Sequence, residues 1–189
     1  MISSSDLKRG VLLDMDGAPW EVLDATYQTP SARGASTITK IKIRNLKTGQ
    51  VLSKSYRGGE MLATADCEKR PCQFLYRQDD EYVFMDQQSY DQFTLTSDAL
   101  GSAAGFLTEG LEVRSMLYND QVMTVELPLV VELTVTETAP VVKSSTVQAQ
   151  PKPATVETGI QIMVPPYLEA GERIRVDTRD GRFIERAKG

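Results

Sequence analysis

Hydrophobic residues in this chain recur largely at alternate positions. They form short runs rich in Val, Ile, Thr, Tyr and Phe, set off by Gly, Pro, Asn and Asp. That spacing belongs to strands with one buried face. In Thr39-Lys40-Ile41-Lys42-Ile43-Arg44 the alternation predicts a strand that buries Ile41 and Ile43 and presents Lys40, Lys42 and Arg44 in a row. Runs at 73–76, 81–85, 111–118, 121–127 and 129–135 read the same way, as do later ones within 154–164, 173–178 and 182–185. Asp16-Gly17, Lys47-Thr48-Gly49-Gln50, Gln78-Asp79-Asp80 and Asn119-Asp120 supply turns between them. Only residues 97–104 carry a helix-like pattern. The class predicted is all-β.

Three modules follow, over 1–64, 65–127 and 128–189. The hairpin chemistry of the first predicts a small SH3-like barrel. Composition turns acidic around residues 63–66, and Pro128 marks the second seam. Small barrels of about five strands suit the second and third modules. Residues 140–153 hold three prolines, Ser144-Ser145-Thr146 and two glutamines, which reads as a polar loop inside the third barrel.

One loop is distinctive. Tyr27-Gln28-Thr29-Pro30-Ser31-Ala32-Arg33-Gly34-Ala35-Ser36-Thr37 joins two strand-like runs through small residues and offers one long cation, Arg33. Pro30 stiffens the approach, Gly34 admits backbone angles closed to other residues, and Ser31 and Ala32 let a bulky partner come close.

Charge gives this loop a context. Formal net charge is -5 over 189 residues, but it is +3 over 1–64, -8 over 65–127 and zero over 128–189. Between Asp24 and Glu60 stand Arg33, Lys40, Lys42, Arg44, Lys47, Lys54 and Arg57, with no carboxylate among them. A cationic strand beside a cationic tip suits a phosphate backbone.

Other chemistries are narrowed by what the sequence lacks. The chain has no histidine, which removes Ser-His-Asp and Cys-His arrangements and the usual base near neutral pH. Cys67 and Cys72 are too few for a tetrahedral zinc site and read as reduced thiols. No metal or other cofactor and no catalytic residue is predicted. No run of about 18 apolar residues and no signal peptide is visible, so a cytoplasmic protein with no membrane partner is expected.

Longer words in the sequence carry a resemblance. Lys152-Pro153-Ala154-Thr155-Val156-Glu157-Thr158-Gly159, Val164-Pro165-Pro166-Tyr167-Leu168-Glu169-Ala170-Gly171-Glu172 and Ile174-Arg175-Val176-Asp177-Thr178-Arg179-Asp180-Gly181 together resemble the carboxy-terminal signature of bacterial elongation factor P. Lys8-Arg9-Gly10, Arg44-Asn45-Leu46-Lys47-Thr48-Gly49 and Phe84-Met85-Asp86 extend the likeness over essentially the whole chain. The resemblance implies an SH3-like (KOW-type) domain followed by two OB-fold domains in a tRNA-like arrangement. It further implies a monomeric elongation factor that binds the 70S ribosome, ribosomal RNA and the peptidyl-site tRNA. Such a factor relieves stalling at consecutive prolines, its first-domain loop reaching the tRNA acceptor end.

The tip departs from the family's commonest form. Where most members carry a proline-glycine-lysine-glycine tip with a modified lysine, Pro30-Ser31-Ala32-Arg33-Gly34 is one residue longer and ends on arginine. It looks closer to the paralogue branch in which the arginine acts unmodified than to the branch that glycosylates it, while the Val176-Asp177-Thr178-Arg179 ending resembles the main branch. Both branches stay open and, of a modified and an unmodified Arg33, the unmodified form is favoured. In the third module the family's Gly-Asp-Thr corresponds to Ser144-Ser145-Thr146, leaving Thr146 to contact the exit-site codon. Phe183 and Arg186 correspond to an aromatic and an arginine that face tRNA or the small subunit, although Phe183 equally suits the core of the last strand. Two rival readings are a general RNA-binding SH3/OB protein independent of ribosomes and a hydrolase built on Asp79-Asp80. The first calls for exposed aromatics on a strand face, and the second places its carboxylates in a solvated turn.

Overall fold

The computed structural model describes residues 1–29, 36–140 and 150–187, and its layers are all-β. The first stretch holds β1 (Ile2–Ser3), β2 (Leu12–Met15), β3 (Ala18–Gln28), β4 (Ile38–Asn45), β5 (Val51–Arg57) and β6 (Met61–Leu62). β2 to β5 form a four-stranded sheet in chain order, and β1 pairs with β6. Asp16 and Gly17 have φ of 56° and 71°, the left-handed pair that a two-residue turn from β2 to β3 requires. Leu7, Leu13, Trp20, Val22, Ile41 and Ile43 are buried together beneath the sheet.

The second stretch runs through β7 (Glu68–Gln78), β8 (Glu81–Asp86), β9 (Gln92–Thr96), α1 (Ser97–Leu100), β10 (Glu112–Tyr118) and β11 (Gln121–Glu126), in the sheet order β11-β10-β7-β8-β9. Thr96 caps α1, its hydroxyl accepting from the Ala99 amide at 3.4 Å. A 3-10 segment, Gly101–Phe106, continues from the helix. Phe84 is fully buried, with the Phe74 and Phe93 rings each 5.4 Å away.

The third stretch contains β12 (Val130–Thr138), β13 (Lys152–Val156), β14 (Gln161–Val164), β15 (Arg173–Asp177) and β16 (Arg182–Arg186), ordered β14-β13-β12-β15-β16. Because β12 pairs directly with β13, the polar stretch between them is a connection within one sheet. In the turn after β15, the Arg179 guanidinium hydrogen-bonds Asp177 and holds that carboxyl down at about 2.

The chain falls into two compact units. One comprises Met1–Arg70, Leu95–Gly101 and Ser115–Thr124; the other comprises Pro71–Thr94, Ser102–Arg114 and Val125–Gly189.

Within the second unit, Phe106 does not belong to the core of the sheet that precedes it. It is buried among Val131, Leu133, Val135, Val156, Ile174 and Val176, side chains of the third sheet. Its neighbour Gly105 allows the approach, since a Cβ there would lie 2.7 Å from the Ile160 Cγ2. The Thr158 hydroxyl donates to the Gly105 carbonyl at 2.7 Å and fixes the join.

Phe106→Ala is expected to open a cavity in the third sheet and to cost about 3–5 kcal/mol. Urea unfolding followed by tyrosine fluorescence measures it, and the same substitution at half-exposed Phe183 should cost less.

Candidate nucleic-acid interface

The longest ladder in the first sheet builds the site. β3 and β4 pair from Trp20 opposite Asn45 to Gln28 opposite Ile38, with a register shift between Val22 and Asp24. Alternation along β4 buries Thr39, Ile41 and Ile43 and exposes Lys40 and Lys42. The hairpin therefore presents a cationic outer face, and residues 29–37 are the connection at its end.

Both sides of the hairpin's end are pinned. On the outgoing strand the Tyr27 hydroxyl donates to the Leu7 carbonyl. On the return, the Gly58 amide donates to the Thr37 carbonyl at 2.6 Å. A Cβ at Gly58 would meet that carbonyl oxygen at 3.2 Å and the Thr37 Cβ at 3.3 Å, so glycine suits this closeness. Pro30, Ser31, Ala32, Arg33 and Gly34 lie outside the described residues.

Cross-strand pairs share a face, so the register gives the composition of the outer surface. Lys40 stands between Thr26 and Ser55, and Lys42 between Asp24 and Ser53. Ile38 stands between Gln28 and Arg57. Neither Lys40 nor Lys42 pairs with a carboxylate of another described residue within 4.0 Å. Asp24 is nonetheless next to Lys42 in the ladder, a proximity that the linear spacing of charges conceals.

Arg44 departs from the expected exposed row. Its side chain is only 11% exposed, and its Nη2 lies 3.3 Å from the Glu21 Oε2. Its Nε is buried without a hydrogen-bond partner among the described residues. The guanidinium occupies the space above Gly101, where a Cβ would come within 1.8 Å of Nη1. Gly101 has φ 57° and ψ -131°, a conformation suited to glycine.

Other cations of the first stretch are also engaged. The Lys47 ammonium lies 5.3 Å from the centre of the Tyr118 ring. Tyr118 is buried with Leu46 and Met123 and hydrogen-bonds Asp14 at 3.3 Å. Burial, then the Asp14 carboxylate, push its phenol above the ordinary value. Lys54 approaches the Met15 sulfur at 3.8 Å. Lys40, Lys42 and Arg57 thus remain as the exposed cations of the β4–β5 outer face.

The sequence-predicted residues of the third module fare differently. Phe183 packs half-buried against the third-sheet core. Arg186 lies 4.9 Å from the centre of the Tyr167 ring and 3.1 Å from the Glu172 Oε1, with half of its side chain exposed. Thr146 lies outside the described residues, as do Ser144 and Ser145. Tyr27 and Thr37 bound the distinctive loop in the sequence, but their pinning bonds, and Gly58, have no place in that reading. The Gly58-Gly59 pair was the one available sign of a close approach.

Among the described residues no group of His, Cys, Asp or Glu could hold a metal ion, and no helix is long and apolar enough to cross a membrane.

Comparison with known proteins gives three successive matches. Residues 3–62 match the elongation factor P KOW-like domain, 67–125 the elongation factor P OB domain and 131–186 the elongation factor P C-terminal domain. Elongation factor P 1 of Geobacter sulfurreducens is 48% identical over 187 residues, covering 99% of this chain and 100% of that protein. Elongation factor P of Microcystis aeruginosa is 44% identical over 186 residues, covering 98% and 100%. That of Syntrophus aciditrophicus is 40% identical over 189 residues, with both chains covered completely.

Gly101→Ala is expected to cost about 1–3 kcal/mol through backbone strain, and more through displacement of Arg44. In a urea-unfolding double-mutant cycle with Arg44→Ala, the combined loss should fall short of the sum, because the second change removes the clash.

Proposed function

The chain belongs to the elongation factor P family, and from that premise we propose how this translation elongation factor works. It binds the ribosome beside the peptidyl-site tRNA, in the cytoplasm and as a monomer, and stimulates peptide-bond formation at stalled polyproline sequences. Segments 1–64, 65–127 and 128–189 act as its three modules. Support for that division comes from the three family matches, each of which falls inside one segment.

The observation that carries the reading is the β3–β4 hairpin. Its pinned end bears residues 30–35, and the outer face of its sheet displays Lys40 and Lys42. On this proposal the two lysines, with Arg57 beside them, meet the sugar-phosphate backbone through sequence-independent contacts. Arg44, on the same face, is held back from this contact by Glu21. Arg33, carried by Pro30, Ser31, Ala32 and Gly34, reaches the acceptor end of the tRNA. Contacts from Thr146 and Arg186, with the accessible edge of Phe183, add to RNA binding through the third module.

No acid or base is needed from the factor. Proline is a constrained secondary amine, and successive prolines hold the nascent chain so that attacking nitrogen and ester carbon meet badly. Restricting the orientation of the acceptor end lowers that barrier, and alignment alone can contribute several kcal/mol. Arginine suits such positioning, since its planar fork stays charged and bonds phosphate, ribose or base edges with two donors at once. An unmodified Arg33 is sufficient in this account.

Arg33→Ala should leave the fold intact, lower ribosome binding only modestly and abolish most of the rescue of a Pro-Pro-Pro reporter in reconstituted translation. Rescue equal to that of the unaltered protein would remove Arg33 from this role. Replacing Lys40 and Lys42 together by Gln should weaken ribosome binding generally. It should also reduce the slope of log affinity against log salt by about 1–2 units. Filter binding over a salt series reads that slope, and an unchanged value would dissociate these lysines from phosphate contact.

A further inference from the structure

β2 and β5 are the two edge strands of the first sheet, and one sulfur joins them. Along β5, Leu52, Lys54 and Tyr56 stand opposite Ile43, Ile41 and Thr39 of β4, so all three take the inward-facing register. Leu52 and Tyr56 pack against the core there. Lys54 cannot leave its charge in that interior, and its ammonium emerges to approach the Met15 sulfur on β2 at 3.8 Å. The Tyr56 hydroxyl donates to the same sulfur at 3.7 Å. Met15 itself is half-buried at the end of β2 and packs against the same core.

Two good donors thus meet a poor acceptor. A thioether sulfur accepts hydrogen bonds weakly, whereas an ammonium and a phenol are strong donors. Neither side chain makes another hydrogen bond or ion pair among the described residues. Burial, then the Glu60 carboxylate, push the Tyr56 phenol above its ordinary value, which keeps the donated proton in place. No other methionine sulfur among the described residues is approached by two donors.

We propose that Met15 is a site of oxidation by peroxide, at which Lys54 and Tyr56 hold the resulting sulfoxide. A sulfur lone pair attacks one peroxide oxygen as the O–O bond breaks. The departing oxygen takes the proton of the transferred hydroxyl and leaves as water, so sulfur is oxidised by two electrons and peroxide is reduced. The oxygen left on sulfur bears a large partial negative charge and accepts strongly. Two weak contacts therefore become two full hydrogen bonds, one of them charge-assisted. Oxidation of a packed methionine ordinarily loosens its surroundings, because a polar group enters an apolar site. Here it ties β5 to β2 and closes the edges of the sheet more firmly. The half-buried sulfur is reachable by a molecule as small as hydrogen peroxide. The site lies on the face of the sheet opposite Lys40 and Lys42, and it stands whether or not those lysines meet RNA.

The test applies hydrogen peroxide to the folded full chain, and mass spectrometry of tryptic peptides reads each methionine. The peptide 10–33 contains Met15 as its only methionine. Met15 is expected to oxidise alongside the more exposed Met61 and Met163. Thermal unfolding before and after treatment then compares the unaltered protein with Met15→Leu, a swap of similar volume, so that damage at the other methionines is common to both. The midpoint of the unaltered protein should fall less than that of Met15→Leu, by about 2–4 °C. In Lys54→Leu and in Tyr56→Phe, each compared with the same variant carrying Met15→Leu, this difference should shrink. An equal or greater fall in the unaltered protein would overturn the proposal. So would a difference undiminished in both donor variants, or an unmodified Met15 once Met61 and Met163 are fully oxidised.

Discussion

Pairing between β3 and β4 is the constraint on which the rest of the first unit depends. The ladder runs from Trp20–Asn45 to Gln28–Ile38, and Val22, Ile41 and Ile43 beneath it are almost wholly buried. Because side chains alternate along a strand, burying those residues obliges Lys40 and Lys42 to face outward. A slip of one residue would turn the lysines into the core at prohibitive desolvation cost. The apolar interior and the cationic exterior are therefore one specification. The same ladder sets where the chain leaves for the Arg33 tip, and the bonds of Tyr27 to Leu7 and Gly58 to Thr37 hold that exit.

Two polar side chains in similar sequence settings illustrate what the fold adds. Lys42 and Arg44 are both cations at alternate positions of β4, yet one is exposed and the other is 11% exposed. The difference lies in their neighbours: Lys42 faces Ser53 and Asp24, whereas Arg44 is covered near Gly101 and held by Glu21. A partly buried guanidinium with an unbonded Nε gains little net stability from one ion pair. Its contribution is geometric, because it fills the space that Gly101 leaves.

Much of this architecture was legible in the residues. The turns at Asp16-Gly17 and Asn119-Asp120, the helical stretch near Ser97 and the alternation in 39–44 all rest on local chemistry, and the structure contains each of them. The elongation factor P likeness, first visible as words such as Val164-Pro165-Pro166-Tyr167, extends through all three matched segments. What escaped was long-range. Phe106 follows a run of small residues that gives no hint of burial in the third-sheet core. Arg44 looks like its neighbours until Glu21 and Gly101 are folded against it. Tyr90, in left-handed backbone at φ 62°, carries no sequence mark of it, since Gly and Asn are the usual signals of that region.

In the proposed function, Arg33 contributes orientation and no proton chemistry, which separates it from a general acid or base. A guanidinium stays protonated throughout the range in which ribosomes work. The direct measurement is single-turnover peptidyl transfer to a prolyl acceptor across neutral pH, with and without the factor. The account predicts an acceleration that is constant with pH and lost in Arg33→Ala. An acceleration that follows a titration curve of the factor, or that persists in Arg33→Ala, would contradict it.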